Sequence, residues 1–178
     1  MTASARRVTR RPADMGGFMG DTPNFDTEAA HRYFSADCFN RVWGLLDKPS
    51  RSPQEDQQMV QLCLASVWHW TERDDCTDTN MSIGYWQASR VYATIGLPDE
   101  ARRYGQLCLE ASKGPDTLPF YLGYAYEALA RAEAVAGNGA EARRHLAESR
   151  RIGENLPNPD AKKQLLADLD DLAAQLSD

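Results

Sequence analysis

Residues 80–156 read NMSIGYWQASRVYATIGLPDEARRYGQLCLEASKGPDTLPFYLGYAYEALARAEAVAGNGAEARRHLAESRRIGENL, and one pattern occurs in them twice. Tyr85, Ala88, Ser89, Tyr92 and Ile95 recur at the spacing of three and four that marks one face of a helix, and the stripe stops at Gly96. Ala101 then opens the buried face of a following helix. Tyr126, Leu129 and Ala130 repeat the stripe up to Gly137, with Ala142 and Leu146 behind them. The two glycines stand 41 positions apart (137 − 96). A single helical hairpin cannot bury its own apolar stripe, so a repeated one implies stacking on a neighbour. The expected fold is all-α: about seven helices in antiparallel hairpins, stacked as a short solenoid.

Toward the N-terminus, Asp26 and Thr27 are both able to cap a first helix, whose face is drawn by Ala30, Phe34, Cys38, Val42 and Leu45. Ser52-Pro53-Gln54-Glu55 is a strong start signal for a second helix. The serine reaches the orphan amide three residues on, proline fits the first turn, and the glutamate reaches back. That second helix, Pro53 to about Arg73, is apolar nearly all round, which predicts a central position with neighbours on several sides. Asp78 or Thr79 is expected to cap a third helix running to Ile95. Toward the C-terminus, Leu165, Leu169, Leu172 and Leu176 form one seam, while Asp168, Asp170, Asp171 and Lys162 occupy the other faces. One apolar seam with a polar outside is the composition of a helix that ends a stack. Each leucine, fully buried, contributes about 1.5–3 kcal/mol.

The bounds on function follow from composition. The 178 residues suffice for one well-buried domain, here residues 25–178. Residues 1–24 carry Arg6, Arg7, Arg10 and Arg11 and three glycines with little periodicity, and are expected to form a disordered basic tail. The net charge of −6 disfavours a general nucleic-acid binder. No apolar run approaches the roughly 18–20 residues of a membrane span, so no membrane partner is expected. Cys38, Cys63, Cys76 and Cys108 are scattered without a CxxC pair, the pattern of buried free thiols in a reducing cytoplasm. No cofactor motif is present.

The spacing of Tyr126, Leu129, Ala130, Gly137, Ala142 and Leu146 resembles the tetratricopeptide repeat, and Tyr85, Ala88, Ser89, Tyr92, Gly96, Ala101 and Cys108 match it less completely. Two departures stand out: Gly105 where that repeat has a bulky residue, and Glu133 where it has an aromatic. The segments around His69-Trp70, Trp86 to Ala93 and Ala125 to Ala132 are similar to an uncharacterised bacterial set of this repeat type. The resemblance implies a fold and a binding surface and no activity.

In such a stack the first helix of each hairpin lines a concave face. Ile83, Trp86, Arg90 and Thr94 on the third helix, and Tyr124, Glu127, Arg131 and Val135 on the fifth, each share one helical face off the buried stripe. Trp86, Arg90, Tyr124, Glu127 and Arg131 are therefore the expected ligand-binding residues, since arginines and aromatics anchor ligands most strongly. The competing reading is structural: Glu127 and Arg131 as an i, i+4 pair, Arg90 tied to Glu127 across the groove, Trp86 and Tyr124 in the core. The leading expectation is a non-catalytic binding module that holds a peptide, a partner protein or a small anionic ligand. The alternative is a small enzyme with His69 as acid or base beside Arg90 and Arg131. A homodimer follows if one edge of the stack is left open. Asp74, Asp75 and Asp78 lack the alternating spacing of a calcium loop, so no metal site is expected.

Overall fold

Gly96 and Gly137 both adopt the left-handed backbone conformation, with φ of 76° and 77°. A residue with a Cβ is strained there, whereas glycine closes a helix at no such cost. At each, the amide one residue further on turns back onto the helix, Leu97 N–H to Tyr92 O and Asn138 N–H to Glu133 O, both at 2.9 Å. The two stops are the same device used twice.

The computed structural model describes residues 24–115 and 117–176. Among them are seven helices and no strand: α1 (Thr27–Leu46), α2 (Pro53–Thr71), α3 (Asp78–Thr94), α4 (Pro98–Ala111), α5 (Pro119–Val135), α6 (Gly139–Glu154) and α7 (Pro159–Gln175). The expected tail over residues 1–24 lies, apart from Asn24, outside the described residues. Ser52 and Glu55 form the reciprocal cap at the start of α2. The third helix is capped one residue earlier than expected, by Thr77 with Asn80 reaching back.

The helices pack as α1 with α2, α3 with α4, and α5 with α6, and α7 closes the end against α5 and α6. Within each hairpin a buried serine bonds a backbone carbonyl across the seam. Ser66 of α2 donates to Ser35 O of α1 (2.7 Å), Ser89 of α3 to Ala101 O of α4 (2.8 Å), and Ser149 of α6 to Gly123 O of α5 (2.7 Å). A buried hydroxyl is tolerated only with such a partner, and reaching a backbone carbonyl requires the two helices to lie close.

The helix expected at the centre is not the one found there. α2 touches only α1 and α3, and Trp68 is 53% exposed. The hub is α5, which packs against α3, α4, α6 and α7 and buries more of its residues than any other helix. Its alanines, not bulk, allow that: small side chains let four helices approach one axis.

Both departures from the repeat pattern have physical reasons. A Cβ on Gly105 would lie 2.8 Å from Leu129 Cδ2, so Leu129, fully buried, occupies the space a larger residue would fill. Glu133 is buried but bonded, receiving Arg102 of α4 at 2.5 and 3.1 Å and the Asn138 amide at 2.7 Å. The Arg102 guanidinium beside it holds its carboxyl below the usual range despite burial. Leu165 of α7 seats against two glycines, lying where a Cβ on Gly123 of α5 or Gly153 of α6 would fall (2.5 and 3.2 Å). Leu165→Ala is therefore expected to lower stability by about 2–5 kcal/mol in urea unfolding. A loss below about 1 kcal/mol would mean that α7 is not docked through this residue.

Candidate functional site

One hollow is lined by the odd-numbered helices alone. α1 contributes Trp43, α3 contributes Ser82, Ile83, Trp86 and Arg90, α5 contributes Phe120, Tyr121 and Tyr124, and α7 contributes Gln164 and Asp168. The volume is about 370 Å³, within the range of small-molecule sites, and the lining has their composition: aromatic walls with a few polar groups. The first helices of successive hairpins thus share one concavity, as the sequence pattern implies.

The aromatic walls are in mutual contact. The Trp86 ring lies 5.7 Å from Trp43 and 5.4 Å, edge-on, from Tyr124, which meets Phe120 at 4.9 Å. Edge-to-face packing at these distances fixes each ring by its neighbours. Tyr124 donates its hydroxyl to Asp168 Oδ2 at 2.6 Å, joining α5 to α7. Burial pushes the phenol's pKa up, and the acceptor carboxylate pushes it further, so this hydroxyl stays protonated and donating at any ordinary pH.

The five expected residues divide into two groups. Glu127 is 1% exposed and does not line the hollow. Its Oε2 accepts the Trp86 indole N–H at 2.9 Å, and its Oε1 accepts Arg131 Nε at 2.9 Å and Nη2 at 2.5 Å. Glu127, buried, and Arg131, partly exposed, therefore form a bracket that orients Trp86, and neither lines the hollow. Trp86, Arg90 and Tyr124 do line the hollow.

The repeat explains why the two arginines differ. Arg90 and Arg131 occupy equivalent positions 41 residues apart, and so do Trp86 and Glu127. One turn before Arg131 stands a carboxylate; one turn before Arg90 stands an indole. Arg131 is thus paired within its own helix, whereas Arg90 lies over two rings, its Cζ 5.7 Å from Trp86 and 5.8 Å from Trp43. That distance is within cation–π range. Among the described residues Arg90 forms no ion pair, nor does it pair with Glu127 across the groove.

The structure does not bring His69 to Arg90 and Arg131. His69 lies in the α1–α2 seam, with its Nδ1 3.0 Å from His31 Nδ1, stacked on Phe34 and against Trp68. It is not part of the hollow's lining, and α2 makes no contact with α5. Trp43, the α1 residue in the hollow, is 12 positions beyond His31, about 18 Å along the helix. Burial holds the His69 imidazole below its ordinary value, and the neighbouring His31 adds to this against the opposing Glu72 carboxylate. In the acidic turn Asp75 is taken by Arg73, which also lies 3.7 Å over the Trp70 ring. Among the described residues no group of histidine, cysteine or carboxylate side chains could hold a metal ion.

Sequence reasoning missed Trp43, Phe120 and Asp168. Trp43 and Asp168 lie on helices outside the repeated stretch, and Phe120 lies in the first turn of α5, one turn before Tyr124. The signal available was their register, since Phe120, Tyr124 and Glu127 fall on one helical face. With this geometry established, comparisons with family models, curated proteins and solved structures gave no match.

Two outcomes are expected. Glu127→Ala leaves Arg131 and the Trp86 N–H without an acceptor, and should cost about 3–5 kcal/mol in chemical denaturation, with Glu127→Gln costing less. The His31–His69 bond needs at least one neutral ring. Because His69 is held neutral in the fold, the unfolded chain takes up its proton first as pH falls below about 6.5, so stability present above that pH is lost toward pH 5. Urea midpoints at pH 7 and pH 5 should show this fall, and His69→Gln should reduce it, leaving the part due to His145, which burial also depresses. An unchanged fall in the variant would exclude His69 as a source.

Proposed function

We propose that this chain is a non-catalytic binding module that holds a small ligand, or the end of a peptide or partner protein, in the hollow of α1, α3, α5 and α7. The observation that carries the reading is Arg90: a guanidinium lining an aromatic-walled cavity, with no carboxylate of the described residues paired to it. A cation held over ring faces keeps its N–H donors free for an incoming anion. A fixed aromatic wall gives apolar contact without ordering cost at the moment of binding. The acid–base chemistry of the alternative enzyme reading has no histidine in the hollow to perform it.

A wider depression of about 590 Å³ lies on the α4–α6 side and offers Arg144 and Arg151. Both are already paired one turn away, with Glu141 and Glu148, which makes that face a solvated helix surface. Among the described residues no helix is long and apolar enough to cross a membrane. The four unbridged thiols suit a reducing compartment, and we propose a cytoplasmic location.

The test uses 8-anilinonaphthalene-1-sulfonate, an aromatic body carrying one anion. It should bind with a stoichiometry of one and quench tryptophan emission. Arg90→Ala and Phe120→Ala should each weaken it tenfold or more while the melting temperature stays within a few degrees. Unchanged affinity in both variants would show that the hollow is not a binding site.

A further inference from the structure

Arg90 and Asp168 are side chains of opposite formal charge in the same lining, and they do not meet. No ion pair joins them, and neither pairs with any other charged side chain among the described residues. Asp168 accepts the Tyr124 hydroxyl on Oδ2, and Oδ1 takes no donor from the described residues. The guanidinium of Arg90 lies over the Trp86 and Trp43 rings. Between them stand two rings in contact, Trp86 beside Arg90 and Tyr124 beside Asp168. The hollow thus has a cationic end, an aromatic wall and an anionic end.

Each charge, partly removed from water, gains from a partner, and among the described residues the two do not serve as each other's. An anion alone answers Arg90 and is disfavoured by Asp168; a cation alone meets the reverse. A molecule with both charges at its two ends satisfies both and leaves the site neutral. Its middle must be apolar to match the wall. A free α-amino acid carries both charges on one carbon and spans too little. Each further residue adds about 3.3–3.6 Å, which puts two or three residues on the scale of two adjoining rings.

We propose that the ligand of this hollow is a small zwitterion, with its carboxylate on Arg90, its ammonium on Asp168 and an apolar body between, the class represented by an apolar dipeptide or tripeptide with free termini. The assignment rests on the binding-module reading and deepens it.

The test is displacement of bound 8-anilinonaphthalene-1-sulfonate, followed by calorimetry, with four probes: Leu-Leu, N-acetyl-Leu-Leu, Leu-Leu-amide and free leucine. Leu-Leu should displace the dye, and each of the other three should be at least tenfold weaker. Asp168→Asn, which preserves shape and the acceptor for Tyr124, should bring Leu-Leu and N-acetyl-Leu-Leu to equal affinity. Arg90→Gln should do the same for Leu-Leu and its amide. If the dye binds but N-acetyl-Leu-Leu competes as well as Leu-Leu, or no peptide competes, the zwitterion assignment is overturned and the hollow remains a binding site of another class. If the dye fails to bind the folded protein and Leu-Leu gives no heat, both readings fall together.

Discussion

A carboxylate withdrawn from water must be bonded, or it takes up a proton or destabilises its surroundings. At Glu127 that requirement is met from two directions at once, by an arginine of its own helix and an indole of the neighbouring one. The bond to Trp86 joins the first helix of one hairpin to the first helix of the next. It fixes the angle of the ring that forms the middle of the aromatic wall, and Trp43, Tyr124 and Arg90 are all placed against that ring. The shape of the concave face thus follows from how one buried charge is neutralised.

The same economy recurs where the chain departs from its repeat. Gly105 removes a side chain so that Leu129 can fill the gap from the opposite helix. Glu133, where the repeat this sequence resembles has an aromatic, makes a charged bond to Arg102 across the same seam. In each case the volume or the contact missing from one helix is provided by its partner. Both exchanges lie between α4 and α5, so the seam between successive hairpins, and not the individual position, is the unit that has to be satisfied.

The glycine stops and small-residue stripes made the hairpins legible, because backbone sterics and close helix approach leave few residues able to serve. Ser89 is an example, since its place in the stripe already marks a tight seam. The candidate site was legible only in part. Trp86, Arg90 and Tyr124 follow from register within the repeat, and the i, i+4 spacing of Glu127 and Arg131 already offers the pair that sets Arg131 apart from Arg90. Which of the two readings holds depends on the burial of Glu127, which only packing reveals. The second helix misled through its composition: apolar residues around the whole circumference suggested a centre, whereas Trp68 remains half exposed and the alanine-rich fifth helix takes that position. Asp168 was hidden among the aspartates of a helix read as a polar outer face.

That last helix has two duties, since Leu165 docks it onto the stack while Asp168 and Gln164 complete the rim of the cavity. Among the described helices α7 packs against α5 and α6 alone, and an element with few packed neighbours opens before the hub of the core. Occupancy of the cavity and attachment of the terminal helix are consequently two sides of one equilibrium. Whatever fills the space also clamps that helix, and amide exchange along residues 159–175 becomes a gauge of whether it is filled.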